Sequence, residues 1–144
     1  MGLLSTAISL ATAITFVLAA DNPTVGVYNE CSESLWIDSS IFDGTAEFTS
    51  GQGFTSTLSA LGNSVGVALS STYFATTTPK LIFGFSVDAT SEILYYSVTT
   101  EDGNPFPDQS WSVTGSGSTC TTVTSANGVT YACPATSSLE MILC

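Results

Sequence analysis

The sequence has no histidine and no arginine, and Lys80 is the single basic side chain among its 144 residues. Twelve acidic residues give the chain a formal net charge of −11 at pH 7. Nucleic acids and anionic membranes are bound through clusters of lysine and arginine. The composition therefore excludes the usual means of binding either of them, and we expect neither as a partner.

The missing side chains also exclude several kinds of catalytic and metal site. Without histidine, neither a Ser-His-Asp nor a Cys-His arrangement can form. Zinc sites normally need histidine or free thiolates, and an even number of cysteines in a secreted protein indicates disulfides instead. A glycine-rich phosphate loop followed by a lysine is also absent. We predict no metal and no cofactor.

The first twenty residues are almost all apolar or small, and the stretch ends in alanines. Such a stretch is typical of a secretory signal peptide, although no lysine or arginine precedes its apolar part. A transmembrane anchor is the alternative, because the run is long enough to be considered as a membrane span. We expect a signal peptide at 1–20, one domain at 21–144, and a secreted protein that is extracellular or associated with the cell wall.

Apolar and polar residues alternate with a period of two along much of the remaining chain. The clearest case is a set of four alternating residues: Leu81, Phe83, Phe85 and Val87. We expect them to face the core, with Tyr95 or Tyr96 of the next strand beside them. Gly, Asn and Asp interrupt the alternating segments, and no helical period with caps is evident. The pattern predicts an all-β protein with an antiparallel β-sandwich fold.

Asn127-Gly128 is a strong signal for a two-residue β-hairpin turn. It predicts that Cys120–Ala126 and Val129–Cys133 pair as antiparallel arms. In an ideal register the two cysteines of these arms are not opposite each other, so a disulfide between them would need a bulge or a frayed end. The residues alone leave three connectivities open for the four cysteines: Cys31, Cys120, Cys133 and Cys144.

Carboxylates are the remaining candidates for catalysis. A glycosidase needs two, roughly 5 to 10 Å apart, one of them with a raised pKa. Several acids qualify by type alone and no spacing singles out a pair: Asp38, Asp43, Glu47, Asp88, Glu92, Glu101, Asp102 and Asp108. The run 101–104 is most simply a turn. Loose calcium binding by Asp102, Asn104 and Asp108 is a less favoured alternative, because the EF-hand spacing is missing. The sequence leans against an enzyme, and we assign no catalytic residue.

The best candidates for displaying a ligand site are two loops, 73–78 and 101–108, because both are long, polar and rich in turn residues. The first offers two aromatic rings beside threonines, and the second offers acidic acceptors beside Phe106, a mixture suited to sugars. We predict that any ligand binds to six residues: Tyr73, Phe74, Glu101, Asp102, Phe106 and Asp108. We expect Phe106 and the Tyr73-Phe74 pair to be exposed. The alternative is that two prolines stiffen a surface loop while Trp111 belongs to the core.

The contexts of the cysteines resemble those of thaumatin-like proteins. The segment Asn29–Trp36 resembles the opening N-x-C-x-x-x-V-W pattern of that family, and Cys133–Cys144 resembles its closing Cys-Pro and final strand. Between them, Gly84–Val87 and Tyr95–Thr99 resemble two further strands of the family. Among them, the chain resembles the small fungal members known as yeast-phase-specific or antigenic thaumatin-like proteins.

The resemblance implies a thaumatin-like β-sandwich that lacks the large disulfide-rich insert of the plant proteins, with the hairpin Thr121–Ala132 in its place. It implies the pairings Cys31–Cys144 and Cys120–Cys133. Plant members that bind or cut β-glucan carry an acidic cleft with one arginine. By the resemblance, the glutamate of that cleft falls at Gly84 and an aspartate falls at Ser97, and this chain has no arginine.

We therefore predict a secreted, monomeric, non-catalytic surface or effector-like interaction protein, whose partner is a cell-wall glycan or a host protein. The alternative is a β-glucan-binding or weakly glucanolytic thaumatin-like protein. A structural wall component, modified on its serines and threonines, is the third possibility. The first two differ in whether the fold presents converging carboxylates or an exposed aromatic platform.

Overall fold

The computed structural model describes residues 22–42, 44–59 and 62–144, so the expected signal peptide at 1–20 and Asp43 lie outside the described residues. Every regular element in that part of the chain is a strand, and no helix there could span a membrane. The strands are β1 (Thr24–Asn29), β2 (Leu35–Ser39), β3 (Thr45–Phe48), β4 (Gly53–Thr57), β5 (Asn63–Ala68), β6 (Lys80–Asp88), β7 (Ile93–Glu101), β8 (Trp111–Gly115), β9 (Tyr131–Pro134) and β10 (Leu139–Leu143). The all-β prediction is confirmed.

The strands form two sheets. One has four strands in the order β4-β1-β10-β8, and the other has six in the order β3-β2-β5-β6-β7-β9. Neighbouring strands are antiparallel except β1 and β10, which run parallel from Val25 opposite Leu139 to Asn29 opposite Leu143. The predicted antiparallel sandwich is confirmed, with this one parallel pair joining the two ends of the domain.

The alternating strand β6 faces the core as predicted. The side chains of Leu81 and Phe83 are completely buried, Phe85 is almost so, and Val87 packs at the edge of the same cluster. Phe85 lies opposite Tyr96 in the register of β6 and β7, and Tyr96 is buried too. Tyr95 consequently points to the other side of the sheet, because successive side chains of a strand alternate.

Two disulfides close the sandwich. Cys31 is bonded to Cys144 with their Cα atoms 4.9 Å apart, and Cys120 is bonded to Cys133 at a Cα separation of 5.0 Å. These are the pairings that the resemblance implies. The first bridge fastens the residues that follow the parallel strands β1 and β10, so it holds the two ends of the domain together.

The predicted hairpin at Asn127-Gly128 is wrong. Val123 pairs with Val113 of β8 through two backbone hydrogen bonds, whereas the Gly128 N–H donates to the carbonyl of Val98 on β7. Strand β9 pairs with β7 instead of with its predicted partner. The segment 123–128 therefore crosses from β8 of one sheet to β7 of the other. The turn residues are used for this crossing, and the disulfide needs no hairpin bulge.

Candidate functional site

The outer face of the six-stranded sheet carries the residues that alternate with the core. Gly84 is at its centre, with Ser64 of β5 on one side and Ser97 of β7 on the other. In the neighbouring row Ser86 lies opposite Tyr95. The two strand positions at which the resemblance places carboxylates in glucan-cutting relatives are thus adjacent, and in this chain they hold a glycine and a serine.

A groove of about 450 Å³ covers these rows. We call it the hydroxyl groove, because five of its lining residues carry a hydroxyl group and Gly84 leaves space between them. These six residues are Ser64, Gly84, Ser86, Tyr95, Ser97 and Thr130. A Cβ atom at Gly84 would approach nothing nearer than the Ser97 Oγ at 3.6 Å. The glycine therefore widens the groove and is not required to avoid a clash.

The side chains of the hydroxyl groove suit binding more than acid–base chemistry. Serine, threonine and tyrosine hydroxyls both donate and accept hydrogen bonds, and a tyrosine ring adds an apolar face. None of the residues lining the groove carries a carboxylate. A glycosidase mechanism needs two carboxyl groups, one of which acts as an acid. The groove can hold a polar surface or a sugar, but its own side chains do not supply that pair.

Beside the groove, the hydroxyl end of Tyr73 lies over Gly66 of β5. Its hydroxyl occupies the space that a Cβ atom at Gly66 would need, so no larger residue fits beneath it. Asp38 of β2 lies opposite Gly66 in the register. Burial raises the pKa of Tyr73 to about 12, and the negative charges of Asp38 and Glu101 add to this rise. The phenol therefore keeps its proton to a higher pH than an exposed tyrosine does.

The only lysine of the chain, Lys80, places its ammonium group over the ring of Tyr73. The Lys80 Nζ lies 3.2 Å from the Asp102 Oδ2 and 5.8 Å from the centroid of the Tyr73 ring. Lys80 is buried, and it lies opposite Glu101 in the register of β6 and β7. Because this buried ammonium of β6 contacts both a carboxylate and an aromatic ring, it links the loop of Tyr73 and the turn of Asp102 to the sheet. We call Asp38, Tyr73, Lys80, Glu101 and Asp102 the Tyr73 cluster.

Of the six predicted ligand residues, the structure brings four together at this cluster: Tyr73, Phe74, Glu101 and Asp102. The ring of Phe74 packs edge-on against Tyr73 with centroids 5.1 Å apart, and Phe74 is 73% exposed. Tyr73 itself is buried, so its expected exposure is wrong. Tyr73 is buried because its hydroxyl end packs on the sheet over Gly66, a contact that the sequence pattern does not show. Binding at these residues stays a prediction.

Phe106 is also buried, contrary to expectation. Only 2% of it is exposed, because the Asn104 side chain holds the backbone of Phe106 in a tight turn and the ring packs into the core. Trp111 is likewise a core residue. Asp108 is exposed and separate from the Tyr73 cluster in the interactions of the described residues. Of the two flanking prolines, Pro105 is buried and Pro107 is exposed.

Among the other candidate acids, Asp88 has a structural role in a turn. Asp88 ends β6 and accepts hydrogen bonds from the Ser91 hydroxyl and from the N–H groups of Thr90 and Ser91, and these bonds lower its pKa. It caps a turn, and a lowered pKa is the reverse of what a general acid needs. Among the residues that the structure describes, no group of three or more His, Cys, Asp or Glu is arranged to hold a metal ion.

The sequence interpretation missed most of the hydroxyl groove. Ser64, Ser86, Tyr95 and Thr130 come from four separate segments, and no motif joins them. The available signal was the polar half of the alternation in β6 and β7, whose apolar half was used to predict the core. The residues that complete the groove depend on strand order, which a single sequence does not specify.

A family model described as Blastomyces yeast-phase-specific protein (Bys1) matches residues 10–144. The chain therefore belongs to this family, and the predicted relationship is confirmed. No curated protein matches the sequence significantly.

Two solved structures show the fold. The protein elicitor MoHrip2 from Magnaporthe oryzae superposes with a TM-score of 0.68 at 23% identity, over 85% of this chain and 98% of that one. The thaumatin-like xylanase inhibitor TLXI superposes with a TM-score of 0.59 at 14% identity, over 85% and 99% of the two chains. The fold is thus that of a small fungal thaumatin-like protein with two disulfides.

Proposed function

We propose that the protein acts outside the cell as a non-catalytic interaction protein, and that a partner recognises the outer face of its six-stranded sheet. The observation that supports this most directly is the centre of that face, where Gly84 and Ser97 leave an open groove lined by hydroxyls. A surface of neutral donors and acceptors is suited to recognition. It does not offer the paired acids of a glycoside hydrolase.

Two further observations support an extracellular role in contact with a partner. All four cysteines are paired, which is typical of proteins that fold in oxidising compartments. The two structural relatives are described as an elicitor and as an inhibitor, roles that do not require turnover of a substrate. Their low identity makes them a precedent for the type of function only.

The surface beside the groove indicates the kind of partner. Phe74 is a large apolar side chain that is 73% exposed, and the acids Glu101 and Asp102 belong to the adjoining cluster. Aromatic residues are common anchors of protein interfaces. The net charge of −11, with its single lysine buried, favours a partner whose contact surface is basic. A host protein with these properties is the partner that we propose.

The test compares activity in tissue with activity on a substrate. Purified mature protein is infiltrated into leaf tissue and the oxidative burst is measured, and the same preparation is assayed for release of reducing ends from β-1,3-glucan. We expect a burst that Phe74→Ala lowers several-fold and that Val129→Ala, which trims another exposed apolar side chain, leaves unchanged. Glucan turnover that disappears on substitution of one Asp or Glu would contradict the proposal.

Binding of β-glucan without cleavage is a second candidate, favoured by the half-buried ring of Tyr95 among the groove hydroxyls. The measurement is co-sedimentation with insoluble β-1,3-glucan. If this candidate is right, Tyr95→Ala should reduce the bound fraction. Tyr28→Ala is the matched control, because Tyr28 lies on the outer face of the other sheet, where it bonds to Thr55. Equal retention of both variants and the parent would exclude the groove as a glucan site.

A further inference from the structure

The outer face of the four-stranded sheet carries one charge at its centre. Within the four strands that the structure describes for this sheet, Glu140 of β10 is the only charged residue. It lies opposite Gly26 of β1 on one side and opposite Thr114 of β8 on the other. The only basic side chain of the protein, Lys80, pairs with Asp102 in the Tyr73 cluster. The protein therefore has no basic side chain left to neutralise Glu140.

A cavity of about 200 Å³ surrounds this carboxylate, and we call it the Glu140 pocket. Six of the residues that line it with Glu140 carry a hydroxyl group: Thr24, Tyr28, Thr55, Thr114, Ser116 and Ser138. The cavity is smaller than the roughly 300 Å³ at which sites for small molecules begin. Its size suits a single side chain. It shares no residue with the hydroxyl groove, so the two sites can be tested separately.

Hydrogen bonds fix the hydroxyl groups on two sides of the pocket. On one side, the Thr24 N–H donates to the Ser138 Oγ at 2.9 Å, and the Ser138 N–H donates to the Ser116 Oγ at 2.8 Å. On the other side, the hydroxyl groups of Tyr28 and Thr55 are hydrogen-bonded at 2.8 Å. Polar groups that are fixed in advance lower the entropy cost of binding. A hydroxyl oxygen has two acceptor lone pairs, so these groups keep capacity for a ligand.

Glycines give the pocket its floor and position its aromatic ring. A Cβ atom at Gly26 would lie 2.8 Å from Cε2 of Tyr28, and a Cβ atom at Gly53 would overlap Cδ1 of the same ring. The Tyr28 ring therefore extends along the sheet over these two glycines, where no larger residue fits. The ring is half-buried and lines the same cavity as the exposed Glu140. A carboxylate and an aromatic ring both attract a cation.

We propose that the Glu140 pocket binds the ammonium group of a lysine on a partner protein. The carboxylate supplies the opposite charge, and the surrounding hydroxyl oxygens accept the N–H groups. An ammonium is a compact charge with three donors on a slim stem, which suits a small cavity with acceptors on several sides; a guanidinium is planar and wider. The net charge of −11 favours approach by a basic protein surface. This contact lies on the other sheet from the proposed interaction surface and does not depend on it.

The experiment is an NMR titration of the ¹⁵N-labelled mature protein with short peptides. The probe is a pentapeptide with blocked ends and a central lysine between serine and glycine residues. The control is the same peptide with its lysine acetylated on Nζ, which removes the charge and keeps the stem. We expect the lysine peptide to shift the amide signals of Gly26, Thr114 and Glu140 saturably. The signals of Gly84 and Ser97 in the hydroxyl groove should not move, and the acetylated peptide should have no effect.

Two substitutions of equal charge separate a local contact from general attraction to an acidic protein. Glu140→Gln should weaken binding of the lysine peptide about 5-fold, the upper end of the effect expected for an exposed ion pair. Glu47→Gln removes the same charge from an exposed position of β3 on the other sheet and should leave the titration unchanged. Thr114→Val provides a second variant of the pocket in case Glu140→Gln lowers the melting temperature, and it should weaken binding by about 2- to 10-fold.

Four results would overturn the inference: no saturable shift with the lysine peptide, equal shifts with the acetylated peptide, equal weakening by Glu47→Gln and Glu140→Gln, or tighter binding of a matched arginine peptide. The third would mean that only the net charge attracts the peptide, and the fourth would mean that the pocket does not select an ammonium. The titration is also independent of the proposed function. A parent protein that produces no tissue response would contradict that function and would leave the result of the peptide titration unaffected.

Discussion

The strands β6 and β7 have two faces that differ in how their residues are constrained. On the inner face, Phe83, Phe85 and Tyr96 are buried and in mutual contact, so almost any change disturbs several neighbours. On the outer face, Gly84 and Ser97 lie opposite each other with space between them. The same alternation produces both faces. The inner face is tightly packed, and the outer face around Gly84 leaves more room for residues that serve a function.

The sharpest test of this contrast is removal of a ring from the inner face. Phe83 is completely buried and its ring centroid lies 5.1 Å from that of Phe85. Phe83→Ala should lower the free energy of unfolding by about 3 to 5 kcal/mol, measured by denaturant titration. Ser86→Ala in the same strand changes the outer face and should cost no more than about 0.5 kcal/mol. Similar losses for the two variants would refute the distinction between the faces.

The Tyr73 cluster is an exception on the outer face, since two of its residues, Tyr73 and Lys80, are buried. The pKa of Tyr73 is raised to about 12, whereas an unfolded tyrosine titrates near 10. Between these pH values the unfolded chain has released its proton and the folded chain has kept it. The unfolded state then binds fewer protons, so stability should fall as the pH rises from about 10 to 12.

The measurement is a spectrophotometric titration of tyrosinate near 295 nm, together with thermal unfolding over the same pH range. Tyr73→Phe should remove the phenol that ionises last and should flatten the fall in stability above pH 10. Tyr28→Phe, on the other sheet, is the control. If Tyr73→Phe leaves the alkaline end of the titration unchanged, the burial of this phenol by the loop is wrong.

A smaller effect is expected from the ion pair that supports the cluster. Asp102→Ala leaves the buried Lys80 ammonium without its carboxylate and should lower the free energy of unfolding by about 1 to 2 kcal/mol, because the side chain of Asp102 is itself partly exposed. Glu101→Ala removes an equal charge from the neighbouring position and should cost less. Equal effects of the two substitutions in denaturant titrations would mean that only the overall charge matters.

The core and the fold could be predicted from the sequence because they depend on local alternation and on the cysteine contexts. The spacing of Leu81 and Phe83 predicts a buried strand, and both residues are buried. The resemblance implied both disulfides. The crossing segment was mispredicted because Asn127-Gly128 favours a hairpin locally, and tertiary bonds to Val98 and Val113 override that preference. Local turn chemistry does not specify which strand a segment will meet.

The candidate site was less predictable, since its residues meet only through strand order. Tyr73 was expected in solvent, but its hydroxyl rests over Gly66, a residue seven positions earlier whose lack of a side chain gave no hint of this contact. Phe106 was expected to be exposed because prolines flank it, yet Asn104 turns its backbone inward. In both cases a packing contact outweighed the polar character of the loop.

The smallest effect on stability is expected for Gly84→Ala, which we compare with the same substitution at Gly66 on the outer face. At Gly84 a Cβ atom meets only the Ser97 Oγ at 3.6 Å and the Asn63 carbonyl at 4.0 Å, both ordinary contacts. Since glycine weakens a strand, Gly84→Ala should raise the free energy of unfolding by about 0.5 kcal/mol. Gly66→Ala, the same change on the adjacent strand, should lower it, because the new methyl group displaces the Tyr73 hydroxyl. A fall in the unfolding midpoint for Gly84→Ala would mean that folding requires this glycine. A rise would mean that folding alone does not explain the gap at the centre of the groove.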